Sequence, residues 1–454
     1  METRRKGLYL GGTVDPETGE RTGSALVRPS HHLTTHGVVV GMTGSGKTGL
    51  GIVLLEELLL SGIPALILDP KGDMGNLLLN FPELRAEDFL PWMDPAEARR
   101  RELEVRELAR QTAERWKTGL ATWEIGPDRM RRLREAAETT IYTPGSKAGV
   151  PLDLVGSLRA PNLDWETHGE TLRDEIEGFV SSLLTMADLG ADPLSDPEHI
   201  LLSNVIEHVW RKGRDLDLPS LIGLVQDPPL RKLGVFPVDD FIPEKDRRRL
   251  AMRLNALVAS PTFTAWLEGE PLEISSLLRA PDGRPRASIV YLAHLSDPER
   301  QFVVTLLLTR LVTWMRQQPG TSDLRALVYM DEMFGFAPPT AEPPSKKPIL
   351  TIFKQARAHG LGMVVATQNP VDLDYKTMAN AGTWMIGRLQ TERDKARILE
   401  GLRSATGVAD PEALAERIGG LRKREFLLRT TRDPEPVLFT SRWAISYLRG
   451  ALTR

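Results

Sequence analysis

The chain has 454 residues, of which 41% are hydrophobic and 26% are charged, and its formal net charge is -3. This length can bury a sizeable core, and the composition is typical of a soluble globular protein. The net charge excludes a basic whole-chain surface for nucleic acid, but it leaves room for a small basic channel. The sequence contains no cysteine, which excludes disulfides and zinc–thiolate sites.

The apolar runs of the sequence are too short and too interrupted to cross a bilayer. The run GIVLLEELLLSGIPALILD at 51–69 contains Glu56, Glu57 and a proline. Residues 1–12 lack the apolar stretch of a secretion signal. We therefore expect no membrane segment and a cytoplasmic location.

The first part of the chain predicts strands around a phosphate-binding unit. Residues 1–36 form a β-rich segment, with strand patterns at KGLYLGG and SALVRP. HGVVVG then predicts a strand buried on both faces, 47–61 a helix, and PALILDPKGD a second buried strand. A strand, a helix and a strand within about thirty-five residues indicate a βαβ unit with parallel pairing.

Two helical regions interrupt this α/β pattern. Residues 95–138 interleave Arg and Glu at helical spacing, which predicts a charged helical insertion with a salt-bridged exposed face or, alternatively, an Arg-rich nucleic-acid contact. Residues 160–275 predict an inserted helical subdomain broken by prolines. The α/β core is then expected over 37–94 and 285–440, where further strand patterns return, followed by a C-terminal helical tail over 441–454.

The stretch GMTGSGKT at 41–48 matches the GxxxxGK[ST] phosphate loop in full. Glycines let backbone N–H groups curl around phosphates, the lysine reaches the β- and γ-phosphates, and the last hydroxyl binds Mg²⁺. The helix that follows directs its positive end at the anion. The predicted nucleotide-binding residues are Gly41, Thr43, Gly44, Ser45, Gly46, Lys47, Thr48 and Gly49.

Acidic and amide side chains follow three other strand patterns. LVYMDE delivers Asp331, a candidate Mg²⁺ ligand, and Glu332, which would polarise the attacking water. LDPKGD places Asp69 as a second candidate metal ligand, and VVATQNP ends in Gln368, a candidate sensor of the γ-phosphate. The alternatives are turns or caps formed by the same side chains. An adjacent glutamate favours water as the nucleophile over a substrate hydroxyl, which disfavours a small-molecule kinase.

Basic residues late in the chain are candidates for transition-state and DNA contacts. Arg388 and Arg357 are candidate arginines that complete a phosphoryl-transfer site, against the alternative of surface ion pairs. Lys346 and Lys347 follow the acidic strand in a predicted loop, which could track a phosphate backbone in a channel or simply be solvated.

Together these segments resemble the HerA/FtsK group of P-loop motors, most closely the bacterial HerA-like ATP-binding proteins. The resemblance rests on HLTTHGVVVGMTGSGKTGL, ALILDPKGDMGNLL, LVYMDE and GMVVATQNP followed by MIGRLQ, and it covers about 25–80 and 285–440. It implies an α/β fold with a RecA-like P-loop core, a mostly parallel central sheet and the inserted helical subdomain. It also implies ATP and Mg²⁺, a ring that is typically a hexamer, double-stranded DNA, and an arginine near 388 offered to the neighbouring subunit.

The sequence departs from this group in two respects. The thirty or so residues before the core are too few for the N-terminal β-barrel of HerA proper, and no nuclease signature is present, so DNA cutting would need a partner. Two alternatives to a DNA translocase therefore stay open. One is an ATP-dependent switch or scaffold that assembles with an effector such as a nuclease in phage defence; the other is a conjugation- or secretion-type motor.

Overall fold

The structure of the chain is a computed structural model that describes residues 7–154, 158–190, 192–260, 263–406, 411–433 and 435–451, the side chains of 264 and 403–406 excepted. The strands are β1 Leu8–Val14, β2 Arg21–Arg28, β3 Gly37–Val40, β4 Ala65–Asp69, β5 Glu138–Tyr142, β6 Leu152–Asp153, β7 Lys232–Leu233, β8 Phe236–Pro237, β9 Glu270–Pro271, β10 Arg286–Tyr291, β11 Ala326–Asp331, β12 Leu361–Thr367, β13 Thr383–Ile386, β14 Glu425–Thr430 and β15 Val437–Ser441.

The α-helices alternate with these strands at both ends of the chain and dominate its middle. They are α1 Lys47–Leu60, α2 Ala86–Phe89, α3 Pro95–Arg100, α4 Val105–Ala121, α5 Pro127–Ala136, α6 Trp165–Met186, α7 Pro197–Trp210, α8 Leu218–Gln226, α9 Val238–Phe241, α10 Glu244–Ala259, α11 Ile274–Leu278, α12 Asp297–Arg316, α13 Lys346–Gln355, α14 Tyr375–Ala379, α15 Glu392–Thr406 and α16 Pro411–Gly420. Within the described ranges, no helix is long and apolar enough to cross a membrane.

One sheet of 11 strands organises the described part of the chain, in the order β2-β1-β15-β14-β13-β3-β12-β11-β4-β10-β5. The strands from β13 to β5 run parallel, and β14, β15, β1 and β2 extend the sheet as an antiparallel edge. Parallel strands end at the same edge, so the segments that follow β3, β4, β11, β12 and β13 meet there. The predicted α/β fold with a mostly parallel central sheet is confirmed.

The two faces of the sheet carry separate apolar layers because side chains alternate along each strand. Val38 and Val40 of β3 pack with α6, α7, α8, α10 and α12, whereas Val39 faces α1, α4 and α5. The helices of the middle of the chain therefore cover one face. The charged region predicted at 95–138 contributes α3, α4 and α5, and the apolar side of α4 packs in the same layer as α1.

The segment after β15 contains no helix as far as residue 451, which corrects the helical tail predicted at 441–454 over those residues. Its backbone N–H groups find partners outside the segment: Ile445 and Ser446 donate to the Glu56 carboxylate at 3.1 and 2.8 Å. Tyr447 donates its N–H to the Leu79 carbonyl oxygen at 2.8 Å. These bonds replace the i to i−4 bonds of a helix, so the helical apolar pattern is overridden by tertiary partners.

The N-terminal strands are part of the large sheet. β1 pairs with β15 through Gly11 and Ser441, and β2 pairs with β1. A Cβ atom at Gly11 would lie within 3.0 Å of the backbone of Thr440 and Arg442, so the close approach of these strands requires a glycine there. The strands predicted before residue 36 therefore extend the core.

Candidate functional site

The glycine-rich loop lies between β3 and α1 at the carboxyl edge of the parallel strands. Gly46 caps α1 with a φ of 103°, a left-handed value that favours glycine. A Cβ atom there would lie 3.2 Å from Cα of Arg424, whose N–H donates to the Ser45 carbonyl oxygen at 2.8 Å. The turn that precedes β14 thus supports the loop from behind.

Lys47 begins α1 and its side chain is buried against its own loop. Its ammonium donates to the carbonyl oxygens of Gly41 and Met42, the latter at 3.1 Å. Burial lowers the pKa of Lys47 to about 8, and the positive charge of Lys71 lowers it further. A phosphate oxygen at this position would replace loop carbonyls as the partner of the ammonium.

The acidic pair lies at the end of β11, opposite the loop. Asp331 is buried, and burial raises its pKa to about 6. Glu332 adopts a φ of 92°, and its carboxylate accepts from the Thr367 hydroxyl at 3.0 Å. Its second oxygen, Oε2, lies 2.8 Å from Nζ of Lys71.

Asp69 ends β4 and shapes the turn that follows it. Its Oδ1 accepts from the N–H groups of Gly72 and Asp73 at 2.7 and 3.2 Å, and its Oδ2 accepts from Met74 at 2.9 Å. Burial and the nearby Asp331 raise its pKa to about 7. The structure therefore uses both oxygens of this predicted metal ligand to hold the backbone that carries Lys71.

These strand ends enclose a cavity of about 290 Å³. Thr43 of the loop donates its hydroxyl to Oε1 of Gln368 at 2.5 Å across it, so the predicted sensor touches the predicted phosphate loop. The lining residues are Thr43, Gly44, Gly46, Lys47, Thr48, Lys71, Asp73, Asp331, Glu332, Ala366, Thr367, Gln368 and Lys423. The structure thus brings most of the residues predicted for the site into one cavity.

The oxygen groups of this cavity fit a hard divalent cation. Oδ2 of Asp331 is buried without a hydrogen-bond partner among the described residues, and the Thr48 hydroxyl lines the same cavity. Magnesium binds through one or two protein oxygens together with substrate phosphates. The described residues include no cluster of three or more His, Asp or Glu side chains that could hold a metal.

The two predicted arginines lie at opposite edges of the sheet. Arg388 is exposed just after β13, next to the loop, and its carbonyl oxygen accepts from the Met42 N–H at 2.8 Å. Its guanidinium has no ion pair or hydrogen bond within the described ranges. Arg357 is exposed in the 3₁₀ turn Ala356–His359 that precedes β12, at the amino edge. Arg357 therefore lies at the edge of the sheet opposite the cavity of its own chain.

The two lysines predicted for DNA begin α13 and are both ion-paired. Lys346 is buried, and its ammonium lies 2.9 Å from Glu342 and 3.1 Å from Asp374. Lys347 is half-exposed and pairs with Asp174 and Glu177 of α6 at 3.1 and 2.8 Å. These three residues line a second cavity of about 500 Å³ between α6 and α12. The structure therefore ties both lysines to protein carboxylates, and Lys346 is not at the surface where a DNA backbone would pass.

Three charged residues of the cavity, Lys71, Asp73 and Lys423, are absent from the predicted site residues. Lys71 and Asp73 belong to the LDPKGD pattern. The sequence shows that this pattern ends a strand, but it does not show which groups these two side chains contact. Lys423 reaches the cavity from the turn before β14, which the Arg424 to Ser45 hydrogen bond holds against the loop. No local pattern marks Lys423, because its place depends on a pairing of segments far apart in sequence.

A glycine-rich phosphate loop between a parallel strand and a helix, facing an acidic pair on a strand two places away, defines a P-loop ATPase with a RecA-like core. Residues 18–144 match the protein family described as Helicase HerA, central domain. This match confirms the resemblance to the HerA/FtsK group of P-loop motors that the motifs predict.

Solved structures share this fold over nearly the whole chain. VirB4 of Thermoanaerobacter pseudethanolicus superimposes with a TM-score of 0.54 at 14% identity, and the match covers 97% of this chain and 97% of that chain. The plasmid coupling protein TrwB, solved in complex with ADP and Mg²⁺, superimposes with a TM-score of 0.53 at 13% identity over 99% of each chain. No curated protein matches the sequence significantly.

Proposed function

We propose that the chain is an ATP-hydrolysing, Mg²⁺-dependent motor that assembles into a hexameric ring and moves along double-stranded DNA in the cytoplasm. The observation that carries the proposal is the single cavity that joins the phosphate loop, the Asp331–Glu332 pair and Gln368. A loop alone would support only nucleotide binding. A carboxylate beside it supports hydrolysis by water.

Each residue has a role that follows from its place in the cavity. Lys47 and the start of α1 bind the phosphates, and Thr48 and Asp331 hold the cation, which neutralises phosphate charge when it is bound. Glu332 accepts the proton of the attacking water. Gln368 passes the presence of the γ-phosphate to Thr43 through their hydrogen bond.

Three comparisons support a motor. The matched family is named for a helicase. TrwB solved in complex with a non-hydrolysable ATP analogue superimposes at 13% identity over 98% of this chain. TrwB is described as a conjugative coupling protein, which favours a conjugation-type motor as the second candidate. The third candidate function is an ATP-dependent switch that assembles with an effector such as a nuclease.

DNA-stimulated ATP hydrolysis tests the proposal. We expect ATP hydrolysis by the full chain to rise several-fold with duplex DNA. The variant Lys47→Ala should lose ATP hydrolysis with and without DNA. Hydrolysis that is indifferent to DNA would contradict a translocase and favour the switch. Native mass measurements with ATP and DNA test the ring, and a monomer under all conditions would overturn it.

A further inference from the structure

The candidate base Glu332 is held by an ion pair that its role in hydrolysis does not require. Nζ of Lys71 lies 2.8 Å from Oε2 of Glu332, and the Thr367 hydroxyl donates to Oε1 at 3.0 Å. Both oxygens of the carboxylate are therefore engaged. The Lys71 ammonium stands against Oε2, on the side from which a water molecule would have to approach to deliver its proton.

The ion pair stands where a γ-phosphate would compete for it. Lys71 and Glu332 line the same cavity as Lys47, and the charge of Lys71 is close enough to lower the pKa of Lys47. The side chain of Lys71 is 33% exposed, so the pair is partly solvated and weak. A γ-phosphate adds a strong, multiply charged acceptor for the same ammonium, whereas ADP adds none at this position.

We propose that Lys71 is a positioning residue that makes release of Glu332 depend on the γ-phosphate. Without ATP, Lys71 holds Glu332. When ATP binds, the ammonium turns to the γ-phosphate, and Oε2 becomes free while Thr367 keeps the carboxylate in place. This inference rests on the proposed ATPase function.

The hydrolytic step then balances within the site. The oxygen of a water molecule forms a bond to the γ-phosphorus while the bond from that phosphorus to the bridging oxygen of ADP breaks. The proton of the water passes to the freed Oε2 of Glu332. The products are ADP and phosphate, whose departure lets Lys71 return to the carboxylate once the proton is released to solvent.

A double-mutant cycle in nucleotide binding tests this coupling. Binding of ADP and of the β,γ-imido analogue of ATP, each with Mg²⁺, is measured by calorimetry on the full chain. Because Glu332→Gln removes the competitor for Lys71, it should tighten binding of the analogue by about two- to fivefold, the strength of a partly exposed ion pair, and leave ADP unchanged. In a Lys71→Met background the same change should have no effect.

Controls separate this role from a structural one. Lys71→Met alone should weaken the analogue by about tenfold relative to ADP, and Lys71→Arg should restore most of the discrimination. Lys423 is another cation of the cavity, but it makes no ion pair with Glu332. The effect of Lys423→Met on the affinity for the analogue should therefore add to the effect of Glu332→Gln. Equal effects of Glu332→Gln with and without Lys71 would overturn the inference. A wild-type chain that binds neither nucleotide would instead refute the proposed function.

Discussion

The backbone of Glu332 adopts a conformation that is rare for a residue with a side chain. Its φ of 92° costs about 1–3 kcal/mol at such a position. The N–H groups of Glu332 and Met333 both donate to the Ala366 carbonyl oxygen, at 3.1 and 3.0 Å, and hold the turn. This anchoring keeps the carboxylate at the cavity. The motif predicted the residue, but no sequence pattern marks the strained turn, because glutamate has no preference for it.

His36, which precedes β3, is buried in its neutral form. Its Nδ1 accepts from the Met363 N–H at 3.1 Å, and its ring packs 4.9 Å from that of Phe353. Burial lowers its pKa to about 4, and the positive charge of Arg357 adds to the effect. Protonation would place an unpaired charge inside the fold.

This burial predicts a specific loss of stability in acid. The pKa of His36 is lower in the folded chain than the ordinary 6.5, so the unfolded chain binds the extra proton first and stability falls as the pH drops from 7 towards 4. The contribution from pH 7 to pH 5 is roughly 2 kcal/mol.

Urea unfolding of the wild type and of His36→Asn at both pH values measures this contribution. Asparagine can accept the same hydrogen bond and tolerates the φ of 60° at this position. On acidification from pH 7 to pH 5, the free energy of unfolding of the variant should fall by roughly 2 kcal/mol less than that of the wild type. An identical loss in both proteins would show that His36 is not responsible.

At the scale of elements, α1 approaches the sheet at a glycine. A Cβ atom at Gly51 would lie 2.1 Å from the hydroxyl oxygen of Tyr329 and 2.6 Å from its Cζ. Tyr329 is fully buried on β11 and its hydroxyl donates to Oδ1 of Asp331 at 3.4 Å. The contact therefore links the helix of the phosphate loop to the strand of the acidic pair.

Gly51→Ala tests this packing because helix propensity and packing predict opposite signs. Propensity alone would stabilise the helix by about 1 kcal/mol, whereas the clash with Tyr329 should destabilise the fold by about 1–3 kcal/mol. Gly49→Ala is the matched control in the same helix, since its Cβ would meet only Leu448 Cδ1, at 3.5 Å. Urea midpoints that rise for both variants would contradict the packing argument.

The C-terminal segment is fixed to α1 by buried charges. Arg442 is fully buried, 2.9 Å from Glu56 and 2.8 Å from Glu57, and Arg129 of α5 lies 2.6 Å from Glu57. Charges removed from water are tolerated only where they are paired. The network therefore joins α1, α5 and the segment after β15.

Arg442→Met should destabilise the chain by about 3–5 kcal/mol, because it leaves the buried Glu56 carboxylate without its cation and Glu57 with Arg129 alone. Urea denaturation measures the change. The matched control Arg211→Met removes an exposed partner of Glu207 and should cost at most about 1 kcal/mol. Adding Glu56→Gln to Arg442→Met should recover part of the loss, and a double variant less stable than the single one would argue against an electrostatic cause.

The elements that sequence could predict are those with a local signal. The apolar runs of β3, β4, β11 and β12 and the phosphate loop carry their own patterns, and the parallel rule then places their carboxyl ends together. The pairing of β1 with β15 joins segments more than four hundred residues apart, so no window reveals it. The burial of Lys346 likewise depends on Asp374, from a different element.

At the scale of the whole molecule, the nucleotide cavity opens at the edge of the sheet where Arg388 is exposed beside the loop. The bond from the Met42 N–H to the Arg388 carbonyl oxygen fixes the backbone beside the loop, and the exposed guanidinium is within reach either of the site of its own chain or of that of a neighbour. Glu332, by contrast, lines the cavity of its own chain together with Lys47. Subunit mixing distinguishes the two cases.

Lys47→Ala subunits mixed with Arg388→Ala subunits should regain ATP hydrolysis if the arginine acts across an interface. Each variant alone should be inactive, but in a ring assembled at random from equal amounts about a quarter of the sites would combine an intact lysine with a neighbour's intact arginine. Mixing Lys47→Ala with Glu332→Gln is the control and should restore nothing, since both groups belong to one chain's cavity. Hydrolysis is followed by phosphate release over a series of mixing ratios. Absence of rescue at every ratio with Arg388→Ala, in assemblies shown by native mass to contain both variants, would assign Arg388 to its own chain or to no catalytic role.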